Sequence, residues 1–487
     1  EIPTLINNID SAYFPLTFNV ENGNMASLFE AHVANQPPCK LKFKEINTLH
    51  PVYRKGELTI KTPVELTWRG LILASNAGEL LQNRIIVENL NPPCAIADVS
   101  WIKPGKFLDL NVTEGITMER VIDHFDVANN LGMNTVHIDW SWYGTERKWS
   151  KDAIEDFEKY MPDATREVFE GHDWKKNTTG NPMKVAEVYV PYLQFRREFY
   201  GMYSYVDVDM EKVVDYGKRN NLGLSLYVNG GVLYPYGEHP VDSVFKTLAD
   251  WGVSNIKPGF VACESQEDII WLRNLIESAA RNRLTLCIHD AYIADGMRRT
   301  YPNLLTQEGG AGRENWPSIS HELLLPFTRH LVGAHDHTPT LYSGHEGRTK
   351  LYELAQLVVY HGAIQSIRDA YMDREQIGIE KEFLREVPTV WDDLKVLKAE
   401  PGNCILIARK NGKRWFIAGM NDETPRSFDI SFDFLNYQTN YELILFEETK
   451  DSNDPHKSIK AVNQNDKIHV SLNSKGGFLA ILNPKNY

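Results

Sequence analysis

The sequence predicts an α/β protein with a central (β/α)₈ TIM barrel, a β-rich region before it and an antiparallel β-sandwich after it. Between about 97 and 394, short apolar runs alternate with amphipathic helical stretches, the order expected of parallel strands with covering helices. Residues 1–96 and 395–487 contain β-type patterns without a long helical stretch. A middle region of roughly 280 residues suits a barrel better than a small doubly wound sheet, which stays the alternative.

The N-terminal domain is predicted over residues 1–96. Its segment GELTIKTPVELTWRGLILAS alternates apolar and polar side chains, as a strand with one buried face does. The Pro-containing segment ENLNPPCAIAD follows and marks a domain boundary.

The barrel is predicted over residues 97–394. Its predicted strands include ADVSWI, NTVHIDW, LGLSLYV, SNIKPGF and RLTLCIH, and its predicted helices include MERVIDHFDVANNLG, DMEKVVDYGKRNN and SQEDIIWLRNLIESAARN. No glycine-rich phosphate-binding motif opens these helices, which argues against a nucleotide site. In the C-terminal domain, 395–487, the segments CILIARK, RWFIAGM, RSFDISF, YELILFE, KIHVSL and GFLAIL predict a small sandwich.

Composition excludes several classes of protein. The net charge of −13 leaves little to neutralise phosphates and argues against nucleic acid as a partner. No run of about 18 apolar residues predicts a transmembrane helix. The five cysteines are scattered and are expected to be mostly buried thiols. Tryptophan and tyrosine are frequent, and their rings suit sugars as well as a large apolar core.

Functional groups of a parallel barrel lie at the carboxyl ends of its strands. Candidates there combine carboxylates and histidines, namely Asp139, His289, Asp290, Glu308, Glu314 and Asp336. Cleavage of a glycosidic bond usually needs two carboxyl groups, and oxygen-rich clusters also bind Ca²⁺. Each residue has a plain structural alternative: Asp139 as a helix cap, His289 as a core histidine, Glu308 and Glu314 as loop charges. His335 and His337 resemble a zinc pair but have no third ligand at a suitable spacing.

Five motifs make the sequence similar to glycoside hydrolase family 97 over about residues 60–487. They are WIKPGK (101–106), HIDWSW (137–142), RTYPNLLTQEGGAGRENW (299–316), HDHTP (335–339) and REVPTVWDDLKVL (385–397). The resemblance implies an N-terminal β-super-sandwich, here reduced, a catalytic barrel and a C-terminal β-sheet domain. It also implies retaining α-galactosidase or inverting α-glucosidase activity on an oligosaccharide or glycoside, calcium dependence, and a periplasmic or secreted location.

The same resemblance implies residue roles. Glu314 takes the position of the general acid, and Glu308 that of a calcium ligand. The nucleophile of retaining members corresponds to Gly259, which carries no side chain to attack with, so the sequence predicts inversion. Asp290 is the expected base and, with Glu308 and Glu314, a calcium ligand; Glu264 is the reserve base. Trp101, Asp139, His289 and Asp336 are expected to bind the sugar.

Three departures from the family pattern qualify this prediction. The strand-three position reads Asn229-Gly230-Gly231 and lacks a carboxylate, Asp290 stands where a glutamate is expected, and Asn76 replaces a calcium-binding glutamate of the N-terminal domain. The leading hypothesis is an exo-acting, α-glucosidase-like hydrolase. The alternatives are a carbohydrate-binding homologue without hydrolysis, or a glycosidase with a changed substrate and a relocated base.

Overall fold

The computed structural model describes residues 10–33, 35–45, 48–53, 58–110, 117–139, 142, 208–233, 235, 240–289, 294–341, 347–368, 378–449 and 455–485. Among them, no helix combines the length and the apolar composition needed to cross a bilayer. All five cysteines are described as free thiols, and every one except Cys94 is buried, as their scattered spacing predicts.

The N-terminal region forms two three-stranded antiparallel sheets, ordered β1-β4-β5 and β2-β3-β6. Their strands are β1 (Ser11–Tyr13), β2 (Leu16–Asn19), β3 (Met25–Ala31), β4 (Cys39–Glu45), β5 (Thr48–Tyr53) and β6 (Trp68–Ala74), followed by the helices α1 (Ala77–Gln82) and α2 (Ile85–Asn89). The period-two pattern is confirmed only over β6. The described residues 58–67 lie outside strands, and Pro63 among them lacks the N–H that a strand ladder needs.

Seven parallel strands form the barrel sheet, in the order β12-β11-β10-β9-β8-β7-β13. They are β7 (Gly105–Leu110), β8 (Thr135–Ile138), β9 (Gly223–Asn229), β10 (Asn255–Gly259), β11 (Thr285–Ile288), β12 (Leu304–Gln307) and β13 (Ile364–Arg368). His335 fills the gap between the two end strands, because it forms a parallel bridge with Gln307 and donates its N–H to the His361 carbonyl. The nearly closed sheet confirms a barrel over a doubly wound sheet.

One predicted barrel strand is wrong. The first strand is β7, with the sequence GKFLDL, and not the preceding run ADVSWI. Asp98 explains the difference, because its carboxylate accepts the Ser100 N–H at 3.0 Å and its carbonyl accepts the Trp101 indole N–H at 2.8 Å. Such local bonds favour a turn over a strand. The other four predicted strands correspond to β8, β9, β10 and β11, and β9 extends one residue beyond its run.

Helices pack around the barrel as the apolar periodicity predicts. The described ones are α3 (Met118–Leu131), α4 (Met210–Arg219), α5 (Val241–Trp251), α6 (Gln266–Arg281), α7 (Ile319–Leu324), α8 (Lys350–Val359) and α9 (Glu380–Glu386). The α6 helix buries the predicted face of Ile269, Leu272, Leu275 and Ile276. It begins with a capping box, in which Ser265 and Asp268 satisfy each other's backbone N–H groups.

The C-terminal region is an antiparallel sandwich, as predicted. A six-stranded sheet, β14-β15-β16-β21-β18-β19, lies against the pair β17-β20, and one apolar cluster draws residues from both. The strands are β14 (Asp393–Glu400), β15 (Cys404–Asn411), β16 (Arg414–Asn421), β17 (Arg426–Ser431), β18 (Tyr441–Glu447), β19 (His456–Val462), β20 (Lys467–Leu472) and β21 (Gly477–Pro484). Helix α8 packs on β16 and β21 and joins this sandwich to the barrel.

Candidate active site

The candidate proton donor, Glu314, lies in a short 3₁₀ turn, Arg313–Asn315, that follows β12. Its Oε2 accepts a hydrogen bond from Nη1 of Arg368 at 3.0 Å, and its Oε1 lies 3.5 Å from Nε2 of His289. The side chain is 34% exposed. The carboxyl group is therefore oriented from two sides and still reachable by a ligand.

Glu314 shares its surroundings with two other predicted residues. Nδ1 of His289 lies 2.8 Å from Oε2 of Glu308, and Glu308 is buried. One ligand atom from each of His289, Glu308 and Glu314 lies within 4.8 Å of the others. The structure thus brings together His289, which follows β11, with Glu308 and Glu314, which both follow β12, and we call these three residues the carboxylate–histidine cluster.

A buried arginine fixes the backbone beneath Glu308. Arg329 donates to the carbonyl groups of Glu308 at 2.8 Å and Gln307 at 2.6 Å. It also donates to the carbonyls of Gly333 and Ala334, both at 3.1 Å. These four bonds join the end of β12 to the segment that closes the barrel. Sequence reasoning missed Arg329, because nothing in its local pattern separates it from a surface arginine.

Asp336 lies deeper in the barrel, as half of a buried ion pair. Its Oδ2 lies 3.1 Å from Nζ of Lys257 on β10 and accepts the Cys287 thiol at 3.1 Å. Burial raises the pKa of this carboxyl, but the Lys257 charge outweighs burial and lowers it. Burial likewise lowers the pKa of Lys257, and Asp336 outweighs it, so that pKa stands well above its ordinary value. Both groups are therefore ionised.

Asp139 follows β8 and is the partly exposed member of a carboxylate pair. Its side chain is 23% exposed, and its Oδ1 lies 3.8 Å from Nε2 of His137. Burial raises the pKa of Asp139, but His137, Lys257 and Arg368 outweigh burial and lower it. Burial and the charge of Asp139 raise the pKa of the neighbouring Asp109. The negative charge therefore resides on Asp139, which can accept hydrogen bonds from hydroxyl groups.

One predicted residue lies away from the site, and another lies outside the described residues. Trp101 lies before β7, at the amino-terminal end of the barrel, and its indole N–H is bonded to the Asp98 carbonyl. Asp98 in turn pairs with Arg283, which lies just before β11 on the same side. Asp290, the expected base and calcium ligand, lies outside the described residues. The structure therefore separates Trp101 from the carboxylate–histidine cluster.

Two glycines that stand where a carboxylate was considered, Gly259 and Gly230, are tightly packed. A β-carbon on Gly259 would lie 2.1 Å from Oη and 2.5 Å from Cζ of Tyr227, so the Tyr227 ring fills the space that a side chain at 259 would need. A β-carbon on Gly230 would lie 2.8 Å from the Phe260 carbonyl oxygen. The Asn229 side chain, which accepts the Gly231 N–H at 2.7 Å, holds that loop.

Gly259→Ala is therefore expected to lower the free energy of unfolding by about 1–3 kcal/mol, the usual cost of overpacking. Urea-induced unfolding measures this cost. In a Tyr227→Leu background, where the outer ring atoms are gone, the same substitution is expected to cost almost nothing. Gly310→Ala is the matched control, since its β-carbon would meet no atom closer than 3.4 Å. Equal costs for Gly259→Ala in both backgrounds would show that Tyr227 does not fill this space.

The fold and the cluster together define a class: a barrel protein whose carboxylates gather at the carboxyl ends of its strands, flanked by two β-domains. Family models match the chain in three places. They are described as "Glycosyl-hydrolase 97 N-terminal" over residues 3–93, "Glycoside hydrolase 97" over 193–310 and "Glycosyl-hydrolase 97 C-terminal, oligomerisation" over 390–483. The chain belongs to glycoside hydrolase family 97.

Relatives of known name agree with this assignment. A probable retaining alpha-galactosidase of Streptomyces bingchenggensis is 24% identical over 88% of this chain, which spans 61% of that relative's length. A retaining alpha-galactosidase of Bacteroides thetaiotaomicron is 22% identical over 96% of this chain and 70% of its own. A family 97 enzyme of Pseudoalteromonas sp. strain K8, solved with acarbose, has a TM-score of 0.79 at 21% identity. The match covers 99% of this chain and 76% of that one.

Proposed function

We propose that the chain is an exo-acting glycoside hydrolase that cleaves the bond of a terminal α-linked sugar, with Glu314 as the proton donor. The observation that carries the proposal is the position of Glu314, which is partly exposed and oriented by Arg368 and His289. Family membership supports the hydrolase class. Because both named relatives are alpha-galactosidases, α-galactosides are the first substrates to test, ahead of the α-glucosides that the sequence alone favours.

In this proposal, each of the following residues of the candidate site has a defined role. Glu314 protonates the glycosidic oxygen as the bond breaks. Arg368 and His289 orient its carboxyl group, while the ionised, partly exposed Asp139 accepts hydrogen bonds from sugar hydroxyls. Asp336 and Lys257 neutralise each other's charge as a buried ion pair and stabilise the polar interior of the barrel. The base remains assigned to Asp290.

The expected inversion finds no support among the named relatives, which are both called retaining. Gly259 has no atom that attacks carbon, and Tyr227 fills the adjacent space. Glu264, the reserve base, lies two residues before α6, and its backbone N–H donates to Asp268 at 2.9 Å. Retention in this chain would need a nucleophile at another position.

Calcium remains part of the proposal. Ca²⁺ binds six to eight oxygen ligands, and the Glu308 and Glu314 carboxylates offer oxygens close enough to share one ion. His289 supplies nitrogen and fits calcium less well; its contact with Glu308 suits a role in orienting that ligand. Asp290 completes the expected set. Asn76 is engaged elsewhere, since its Oδ1 accepts the Glu79 N–H and caps α1. A bound ion would offset repulsion between the two carboxylates.

The proposal is tested with 4-nitrophenyl α-galactoside and α-glucoside, with the β-anomers as controls. We expect turnover of α-glycosides alone, loss of rate and of thermal stability after chelation, and recovery with Ca²⁺. NMR of the first product anomer then separates inversion from retention. Sugar binding without turnover of any α-glycoside would contradict the proposal and favour a carbohydrate-binding homologue.

A further inference from the structure

A buried cluster of ionisable side chains includes one residue of the turn that carries Glu314. We call it the Arg313 cluster; its members are Arg313, Glu322, His337, Arg348 and Glu353, and each is at most 3% exposed. Arg313 belongs to the Glu314 turn, Glu322 to α7, and His337 to the segment that closes the barrel. Glu353 lies in the first turn of α8, and Arg348 lies two residues before that helix. The tasks assigned to the site above use none of these five side chains.

Arg313 connects the turn to this cluster through its side chain and its backbone. Its Nη2 lies 3.3 Å from Oε1 of Glu353, and its Nη1 lies 3.9 Å from Oε1 of Glu322. Its guanidinium carbon lies 4.9 Å from the ring centre of Trp316. The backbone N–H of Arg313 donates to the His337 carbonyl at 2.7 Å. The residue is thus held through both its side chain and its backbone.

The groups that hold Arg313 are themselves anchored. Oε2 of Glu322 accepts a hydrogen bond from Nε of Arg348 at 2.8 Å and one from the Tyr352 hydroxyl at 3.0 Å. Oε1 of the same carboxylate lies 3.4 Å from Nε2 of His337. The Glu322 carboxylate on α7 therefore contacts α8 and the segment that closes the barrel. Arg313 is connected to both elements through this carboxylate.

Within the turn, the Asn315 and Trp316 N–H groups donate to the Gly312 and Arg313 carbonyls, each at 3.0 Å. The turn is only three residues long, Arg313–Asn315, and is closed by Trp316 in the left-handed region, at φ 47°. Glycines precede it at 309, 310 and 312, and glycine restrains a backbone weakly.

Burying several charges is an inefficient source of stability, because well-packed apolar groups do as well or better. What such a cluster provides is a defined geometry.

We propose that Arg313 is a positioning residue for the proton donor. Its buried guanidinium, in contact with the carboxyl groups of Glu353 and Glu322, fixes the turn so that the adjacent Glu314 presents its carboxyl group to the leaving oxygen. This inference rests on the proposed function for its catalytic consequence. Its structural consequence, an ordered turn, holds independently of turnover.

The test compares Arg313→Gln with wild type on two α-galactosides, one with a poor alkyl leaving group and one with 2,4-dinitrophenolate, which departs without protonation. Misplacement of a catalytic group by about 1 Å costs about 10²-fold, so kcat on the poor leaving group is expected to fall by about that factor. The activated substrate is expected to lose less than about threefold, and Arg313→Lys to recover part of the loss.

Arg409→Gln is the matched control. Arg409 is also buried, but its guanidinium bonds the Val358 and Val359 carbonyls at the end of α8 and not the Glu314 turn. Its loss is expected to lower kcat on both substrates equally. Equal losses on both substrates for Arg313→Gln would overturn the inference, whereas absence of turnover in wild type would contradict the proposed function instead.

Hydrogen exchange gives a readout that needs no turnover. In Arg313→Gln, amides of the peptide spanning 309–317 are expected to exchange about tenfold faster, while those of the barrel strands stay unchanged, because only the turn loses its anchor. Arg409→Gln is expected to leave this peptide protected. Unchanged protection of 309–317 in a folded Arg313→Gln protein would overturn the inference.

Discussion

Glu314→Gln is expected to lower kcat on alkyl α-galactosides by about 10²–10⁴-fold, the usual contribution of a general acid. The amide keeps the size of the side chain and an oxygen to accept from Arg368, which lies 3.0 Å from the present carboxylate. It does not supply the proton that the leaving oxygen needs. Substrate binding is therefore expected to change little, and the loss is expected in kcat.

Glu211→Gln is the matched control for this variant. Glu211 is an exposed glutamate in the first turn of α4, far along the chain from the carboxylate–histidine cluster. It is expected to leave kcat and KM unchanged. A Glu314→Gln enzyme that keeps more than about half of the wild-type kcat would remove Glu314 from the role of acid, because that role predicts at least about a hundredfold loss.

Lys257→Met is expected to have the largest effect on stability, about 3–5 kcal/mol at pH 8. Breaking a buried ion pair leaves an uncompensated charge in a poorly solvated place, here the Asp336 carboxylate, whose Oδ2 lies 3.1 Å from Lys257. Urea-induced unfolding of both proteins measures the difference. Lys246→Met, which breaks an exposed pair with Asp250 on α5, is the control and is expected to cost less than about 1 kcal/mol.

The pH dependence of this loss has a definite sign. In wild type the pKa of Asp336 is lowered in the folded state because Lys257 outweighs burial; without Lys257, burial is expected to raise it. A carboxyl with a raised folded pKa favours the folded state at low pH and loses that benefit as pH rises. The difference between Lys257→Met and wild type should therefore shrink from pH 8 to pH 5. A difference independent of pH would contradict the ion-pair account.

The alternation of strands and helices in the barrel could be predicted from the sequence, because each element has its own local pattern of apolar residues. The β10 strand ends at Gly259 and α6 begins after Ser265, as the apolar run SNIKPGF and the helical segment SQEDIIWLRNLIESAARN predict. The first strand was misplaced, since the ADVSWI run satisfies a strand pattern while Asp98 forms a turn through bonds that a pattern does not contain. The β14 and β19 strands, which are not among the six strands predicted for the C-terminal domain, are largely half-buried or exposed and show weak apolar patterns.

Part of the candidate site could also be predicted, because some of its residues lie close to the ends of predicted strands. His289 and Glu308 directly follow strands and Glu314 lies in the loop after β12, so the barrel topology predicts that they lie on the same face. Arg368, which orients Glu314, comes from β13, about fifty residues later in the chain. The Tyr227 ring meets Gly259 through a cross-strand contact between β9 and β10. Contacts of this kind depend on side-chain directions in the closed barrel, and no local spacing encodes them.

The dependence of rate on the leaving group tests the central claim, that Glu314 donates the proton, most directly. Across a series of aryl and alkyl α-galactosides, wild-type kcat/KM is expected to vary little with the pKa of the leaving alcohol, because protonation offsets its basicity. Glu314→Gln is expected to show a steep decline as that pKa rises, and nearly wild-type rates with 2,4-dinitrophenolate. Parallel dependences for the two enzymes, with the variant slower by the same factor throughout, would contradict proton donation by Glu314.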